Sequence, residues 1–326
     1  MSPAPKSGDG LAGPDHGLAL AGRLPTIPFL HDWMETSTRD YLRPIGAPPI
    51  DFAHPPGEAA LFAPGSLTWR VFKNPIVLFI GGLAAVIIEL AEPAVRTGVW
   101  EHSTFRSDPV GRLRRTGLAT MVSVYGPRSV AEAMIARVVQ MHDGVTGTTP
   151  MGRAYHANDA ELLTWVYATA GFGFARAYSR YVAPLNVEAM DALLEEGSPA
   201  AYLYGASTVP HSQTGLQLLF ESMKERLEPS PLIFEFIEIM REAPAFPAAL
   251  RPLQRMFVRA AVEIAPTWLR RRLGLTEAYG LRLWELPLVR QAAGLADKIV
   301  LRSNPAVQAC VRVGLPADYL YRRTPH

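Results

Sequence analysis

The segment Ile76–Ile88 reads IVLFIGGLAAVII, and it constrains this 326-residue chain more than any other stretch. It falls short of the roughly twenty apolar residues that a helix needs to cross a bilayer. A short helix that is apolar on every side belongs in the core of a folded domain. We therefore predict a buried core helix here and no transmembrane span.

Apolar residues recur at helical spacing from Phe72 onward, and strand-like alternation is nearly absent. This texture predicts an all-α fold in a single multi-helix domain. One helix is expected to run from Leu162 through Gly171 and Gly173, whose glycines indicate close packing or a kink. Further helices are predicted over residues 213–227, 232–241, 251–264 and 286–301.

The first 66 residues are rich in Pro and Gly, which predicts an N-terminal arm that is partly disordered, over about the first twenty residues, and otherwise extended along the domain. Residues 67–326 contain no linker-like stretch, so we assign them to one helical domain. The opening MSPAPKSGDG has one Lys and no apolar core, which is unlike a secretory signal. We expect a cytoplasmic protein.

Composition excludes several classes of function. The chain has 32 Lys and Arg against 30 Asp and Glu, a net charge of +2 that is too small for a dedicated nucleic-acid binder. Its one cysteine, Cys310, excludes an internal disulfide, a Cys-based zinc site, an iron–sulfur cluster and covalent haem attachment. Hydrolase, metalloprotease and nucleotide-binding motifs are absent from the sequence.

Residues 251–326 carry 13 Lys and Arg against 5 Asp and Glu, a local excess of 8 positive charges. A solvated basic face is the simpler interpretation of such a segment. The alternative is an anion site, for cofactor carboxylates or for anionic lipid, and peripheral membrane contact stays open.

A histidine stands on the apolar face of a predicted helix. Ser129 and Glu132 form a capping-box pattern that opens this helix, and Asn158–Glu161 resembles a second such start. The face continues at 3–4 spacing through Val138 to His142. A lone histidine in this position is commonly structural. A neutral imidazole in an apolar surround can also bind iron.

Arg112, Arg115 and Thr116 form a second candidate group. If this segment is helical, Arg112 and Thr116 share a face at i, i+4, with Arg115 beside them. Two guanidinium groups and a hydroxyl could pair with cofactor carboxylates or polarise dioxygen. The alternative is the exposed start of a surface helix.

The order of several short motifs adds to these observations. They are Leu90–Val95, Gly98-Val99, His102-Ser103-x-Phe105, Asp108-Pro109, Arg112-x-x-x-Thr116, Met141-His142-x-x-Val145-x-Gly147, Tyr155-x-Ala157-x-Asp159, Leu163-x-Trp165-Val166 and Pro266-x-Trp268-Leu269-Arg270. Over roughly residues 66–280, this run resembles the rubber-oxygenase (latex-clearing) and MpaB-like family.

The resemblance implies an all-α, loosely globin-like fold that binds haem b without covalent attachment. It places the iron ligand on His142 and the distal catalytic pair on Arg112 and Thr116. Arg115 falls in the same distal motif, and we predict that Arg115 and His102 contact the cofactor. Characterised members of the family cleave an isoprenoid double bond with dioxygen.

Three positions depart from the family pattern. Arg115 replaces a lysine that can cap the iron, and an arginine is a poor ligand because it stays protonated. Glu92 and Tyr167 stand where many relatives have histidine. The distal carboxylate of rubber oxygenases matches no motif here, and Glu89 and Glu92 are the two candidates.

The preferred function is therefore a haem-b-dependent oxygenase acting with dioxygen on an apolar isoprenoid or other unsaturated small molecule. We expect its pocket to be lined by Ile76–Ile88, Met121, Met141 and Trp165. One alternative is a non-catalytic helical binding protein that has lost haem. Another is a haem protein with a peroxidase-like or sensing role.

Overall fold

The structure is a computed structural model that describes residues 28–43 and 49–322. It confirms the all-α prediction, with fourteen α-helices and one small hairpin in the described residues. The helices are α1 Pro28–Tyr41, α2 Leu67–Phe72, α3 Pro75–Glu89, α4 Pro93–His102, α5 Pro109–Tyr125, α6 Arg128–Asp143, α7 Ala160–Tyr181, α8 Val187–Tyr204, α9 Gln213–Met223, α10 Pro231–Glu242, α11 Arg251–Ile264, α12 Thr267–Leu273, α13 Glu285–Ala296 and α14 Pro305–Arg312. Strands β1 Thr146–Thr148 and β2 Ala154–His156 pair antiparallel, with Gly147 opposite Tyr155. Short 3₁₀ turns cover Lys224–Arg226, Ala248–Leu250, Glu277–Tyr279 and Tyr319–Tyr321.

Helix α3 is the buried core helix that the apolar segment predicts. The Asn74 side chain caps it, accepting from the backbone amides of Ile76 and Val77 at 3.1 Å each, and Pro75 opens its first turn. Nine of its fifteen residues are buried. The Asn74 amide also donates to the Ala293 carbonyl at 3.0 Å, which ties the start of α3 to α13.

Helix α7 crosses α3 at a contact made by glycines. A Cβ on Gly81 would lie 2.7 Å from Cδ1 of Phe174 and 3.0 Å from the carbonyl oxygen of Gly173. A Cβ on Gly173 would clash with the carbonyl oxygen of Gly81. The expected close packing is thus confirmed, and α7 continues through both of its glycines as one helix. Glycine here lets two backbones approach each other directly.

Residues 49–66, the last part of the N-terminal arm, lie on the helices. Phe52 and Phe62 are buried in a second core cluster with Trp69 and Tyr125. The Arg312 guanidinium donates to the carbonyl of Phe52 at 2.5 Å and, through Nε, to that of Glu58 at 2.8 Å. Residues 49–66 are irregular chain, while α1 is a helix that the sequence analysis did not assign. The disorder predicted for the first twenty residues lies outside the described residues, and the domain boundary at residue 66 stays a prediction.

Two predicted helix details are wrong. Ser129 does not cap α6, because the helix already begins at Arg128 after Pro127, and the Ser129 amide donates to the Glu58 carboxylate of the arm at 2.7 Å. Helix α13 ends at Ala296 instead of residue 301. The Lys73 side chain binds the carbonyl and the carboxylate of the next residue, Asp297. In both cases the structure differs from the prediction because of a contact with a residue distant in sequence.

Among the described residues, no single helix combines the length and apolar composition of a membrane span. Helices α3 and α4, bent by 114° at their junction, pass that test only as a pair.

Gly81→Ala is expected to lower the free energy of unfolding by about 1–3 kcal/mol, because its Cβ would press on the backbone of α7. The matched control is Gly82→Ala. Its Cβ would meet only the Phe174 ring at 3.9 Å, so the higher helix propensity of alanine should leave stability equal or increased by up to about 1 kcal/mol. Urea unfolding of both variants measures the difference. Equal stability of the two would contradict a backbone contact at this crossing.

Candidate functional site

Helices α3, α5 and α6 bring three ionisable groups into electrostatic range of one another. Burial raises the pKa of Glu89, at the last residue of α3, and lowers that of His142, in the last turn of α6, and the charge of Arg112 on α5 acts on both groups. Helices α5 and α6 pack directly on each other. The structure therefore brings together two of the predicted site residues and one of the two candidate carboxylates.

Arg112 and Thr116 share a helix face as predicted. The guanidinium donates to Oγ1 of Thr116 at 2.8 Å, and that hydroxyl donates to the Arg112 carbonyl at 3.0 Å. The guanidinium also lies over the Phe105 ring at 5.5 Å. Asp108 caps α5 by accepting from the Gly111 amide at 2.9 Å. Arg112 is thereby held in one orientation, with its Nε buried and unpartnered.

His142 is partly buried on the face of α6 that also buries Ala131 and Ile135. Burial, and then the positive charge of Arg112, lower the pKa of the imidazole, while the Asn158 amide opposes that shift. Nδ1 of His142 and Oδ1 of Asn158 are both buried and make no hydrogen bond of full geometry among the described residues, although the Asn158 side chain interacts with the imidazole and opposes the lowering of its pKa. The ring is neutral at neutral pH, as metal coordination requires.

Glu89 is a carboxyl group that binds its proton unusually tightly. Burial raises its pKa to about 7, against the lowering effects of a hydrogen bond from Thr169 and of the Arg112 charge. The Thr169 hydroxyl, on α7, donates to Oε1 of Glu89 at 3.0 Å. A carboxyl group with this pKa can hold or release a proton near neutrality.

Glu92, the other candidate carboxylate, has a structural role. It is fully buried and accepts from the Val95 amide at 2.9 Å, capping α4. Its other oxygen lies 2.9 Å from the Arg226 guanidinium and 3.4 Å from that of Arg153. Buried carboxylates are stable when they are paired in this way.

Arg115 and His102 lie further out. Arg115 is exposed and contacts Asp108 at 3.3 Å and the Thr104 hydroxyl at 2.5 Å. His102 is exposed at the last residue of α4. Tyr167, at a position where relatives carry histidine, donates to the Leu194 carbonyl at 2.5 Å and so ties α7 to α8.

The predicted pocket lining is wrong. Met121 and Trp165 are buried in two different core clusters, and Met141 is 57% exposed. A cavity of about 710 Å³ lies elsewhere, between Phe172, Arg176 and Trp268, and a second of about 450 Å³ lies near Val209. His142, Arg112 and Glu89 line neither cavity. Side chains that share the apolar face of a predicted helix do not necessarily line the same cavity after the helices have packed.

Two residues near the site were not singled out from the sequence as functional. Thr169 binds Glu89, and Asn158 lies beside His142 while donating to the Val139 carbonyl at 2.9 Å and to the Asp143 carboxylate at 2.7 Å. Thr169 follows Trp165 by one helical turn, so the stripe that faces α3 is the signal that could have found it. The position of Asn158 beside His142 depends on the path of the chain after the hairpin, which brings Asn158 back to the end of α6.

Buried polar atoms without partners are most frequent in the middle of the chain. Twelve such side-chain atoms occur among the described residues, and seven fall between residues 100 and 165. They belong to Trp100, Ser103, Arg112, Arg114, His142, Asn158 and Trp165. Buried polar groups are nearly always satisfied in native proteins, and of these atoms only those of Arg112, His142 and Asn158 belong to residues that interact at this site.

The donor set can be compared with the group that the family resemblance implies. No three His, Cys, Asp or Glu side chains converge as ligands within the part of the chain that the structure describes. A metalloporphyrin supplies four ring nitrogens of its own and needs as little as one protein imidazole. The neutral imidazole of His142, within electrostatic range of the Arg112 guanidinium, supplies donor chemistry that fits such a group, and neither of the two cavities reaches it.

Comparison with known proteins gives the family. The sequence model described as "ER-bound oxygenase mpaB/B'/Rubber oxygenase, catalytic domain" matches residues 69–296, and the chain belongs to this family. The resemblance drawn from motif order is thereby confirmed, and the family supports an oxygenase role. A glycogen synthase from Haemophilus influenzae (strain PittGG) is 28% identical over 130 residues, which are 40% of this chain and 24% of that protein. No solved structure matches.

The raised pKa of Glu89 predicts a stability that falls as the pH rises. The folded carboxyl keeps its proton up to a pKa of about 7, whereas the unfolded one loses it near 4.5, so folding takes up a proton between these values. Glu89→Gln should remove this loss, and its advantage over the wild type should grow by at most about 3 kcal/mol between pH 4.5 and 7.

Urea unfolding across that pH window makes the measurement. Glu101→Gln is the control, because Glu101 is exposed and its replacement should leave the pH dependence unchanged. A Glu89→Gln profile parallel to that of the wild type would show that the carboxyl is not desolvated.

Proposed function

We propose that this chain is a haem-b-dependent oxygenase acting on an apolar, unsaturated small molecule of isoprenoid type. The oxygenase family supports the reaction class. The observation that carries the cofactor is the neutral, partly buried imidazole of His142, whose Nδ1 makes no hydrogen bond of full geometry among the described residues and which lies within electrostatic range of the Arg112 guanidinium.

His142 would hold the iron. Its lowered pKa keeps a nitrogen lone pair free at neutral pH, and its place on the buried face of α6 limits the access of water. Bound haem would supply the activation of dioxygen, and the protein supplies orientation and electrostatics.

Arg112 would provide the catalytic cation. Its hydrogen bond to Thr116 and its position over Phe105 fix the guanidinium before any ligand arrives. A preorganised donor of this kind stabilises negative charge on an oxygen atom without rearranging. The buried Nε of Arg112 still has a hydrogen bond to donate, either to dioxygen or to a cofactor carboxylate.

Glu89 would be the residue that accepts or donates a proton. With a pKa of about 7, its carboxyl can accept a proton or return one at neutral pH. Thr169 holds Oε1, which leaves Oε2 available. Glu92 is already occupied by Arg226 and Arg153, so of the two candidate carboxylates we assign the role to Glu89.

Arg115 and His102 would contact cofactor carboxylates at the rim. Both are exposed, so replacing either should weaken cofactor binding less than replacing His142. We further propose a cytoplasmic location.

An absorption spectrum tests the cofactor. Protein supplied with haem b is expected to show a Soret band, and His142→Ala should shift and strongly weaken that band by removing the iron ligand. The matched control is His211→Ala, an exposed histidine bound to Glu195, which should keep the wild-type spectrum. A wild-type protein that stays colourless after haem is added would refute the proposal and favour a helical binding protein without haem.

Oxygen consumption tests the reaction. The haem-loaded protein should consume dioxygen with squalene, an isoprenoid alkene, and not with squalane, its saturated analogue. Arg112→Ala should slow consumption by about a hundredfold or more while the Soret band persists, because one preorganised donor is lost. A haem-bound protein that consumes no oxygen with any unsaturated lipid would instead favour a peroxidase-like or sensing role.

A further inference from the structure

Helix α13 displays a stripe of exposed apolar side chains at the protein surface. Leu283 and Trp284, just before its first turn, are 94% and 56% exposed, and Leu288 and Leu295 are each 41% exposed. Positions 284, 288 and 295 are separated by four and seven residues, so they share one face of the helix. Large apolar side chains grouped in this way on a surface indicate an interaction site.

The opposite face of α13 fixes the helix to the body of the protein. Glu285, Val289 and Ala293 are fully buried, and the helix packs on α11, α3 and α7. Glu285 forms a salt bridge with Arg259 and accepts from the Arg282 amide at 2.9 Å. The apolar stripe is therefore presented outward on a rigid element.

The exposed charged side chains between positions 282 and 302 are all positive, and a carboxylate from another element, that of Glu35 on α1, accepts from the amides of Arg302 and Ser303. Arg282, Arg290, Lys298 and Arg302 are exposed. The two acidic residues between positions 282 and 302 are Glu285 and Asp297. Both are neutralised, by Arg259 and by Lys73. An apolar stripe on a segment whose own exposed charges are cationic suits a surface that is apolar below and anionic above.

The positive charges of this segment also argue against two other partners for the stripe, a second copy of the chain and residues 1–27. In a two-fold dimer through this face, the arginines and Lys298 of one copy would meet those of the other, which is unfavourable. Residues 1–27 contain two acidic and two basic side chains, so they offer no complementary charge.

We propose that α13 docks the protein on an anionic lipid bilayer. Leu283, Trp284, Leu288 and Leu295 would insert at the level of the headgroups, where tryptophan is favoured, while the flanking cations would contact lipid phosphates and carboxylates. The stripe would thus anchor the protein without spanning the membrane.

This docking surface is independent of the proposed haem chemistry. Ala293 on α13 binds Asn74 at the start of α3, whereas Glu89 ends α3. A helix of fifteen residues is about 22 Å long, so the two features lie at opposite ends of it. Binding to lipid can therefore be measured on protein with or without cofactor.

Co-sedimentation with vesicles tests the proposal. The full chain is expected to bind vesicles of equal parts phosphatidylcholine and phosphatidylserine, and to bind pure phosphatidylcholine at least tenfold more weakly. Leu283→Ser combined with Trp284→Ser should reduce binding to the acidic vesicles at least tenfold. Arg282→Glu combined with Lys298→Glu should have a similar effect, since each basic residue near an acidic surface contributes about fivefold.

The control is Leu218→Ser, which removes an exposed leucine (68%) on α9 and should bind vesicles like the wild type. Far-UV circular dichroism checks that every variant is folded. Absence of binding by the wild type, or binding that the stripe variants do not alter, would overturn the proposal. A concentration-dependent dimer that Leu283→Ser abolishes would instead assign the face to a second copy of the chain.

Discussion

The backbone contact between α3 and α7 is the constraint on which the rest of the structure depends. Gly81 and Gly173 remove the side chains that would keep two helices apart, so the carbonyl of one helix meets the backbone of the other. The crossing places the end of α3 against the middle of α7, where Thr169 meets Glu89 although eighty residues separate them. A core this dense excludes water, and the unusual protonation in the site follows from that exclusion.

Burial acts in opposite directions on the two titratable groups of the site. It raises the pKa of Glu89, because the charged carboxylate is disfavoured, and lowers that of His142, because the charged imidazolium is disfavoured. The Arg112 charge reinforces the second shift and opposes the first. A protonated carboxyl, a neutral imidazole and a fixed cation therefore coexist near neutral pH, a combination that supports the proposed assignment of a proton carrier, a metal ligand and an oxygen-orienting group.

Carboxylates with similar sequence surroundings have different roles here, and packing decides between them. Glu89 and Glu92 are three residues apart, and both were candidates for the distal carboxylate. The turn between α3 and α4 directs Glu92 toward Arg226 and Arg153, while Glu89 remains on α3 with a single hydroxyl partner. Motif order could place both near the site, but only their partners, which come from remote helices, separate a structural ion pair from a proton-binding group.

The sequence by itself determined the helical class, the buried nature of Ile76–Ile88, the family, and the shared face of Arg112 and Thr116. These features depend on local spacing, which a helix converts directly into geometry. Three features were decided only by the tertiary structure. Ser129 binds the Glu58 carboxylate of the arm through its amide instead of capping α6. Met121, Met141 and Trp165 do not line one pocket, and Glu89 pairs with Thr169. Each of those outcomes depends on a partner far away in the chain, and desolvation exists only after the helices have packed.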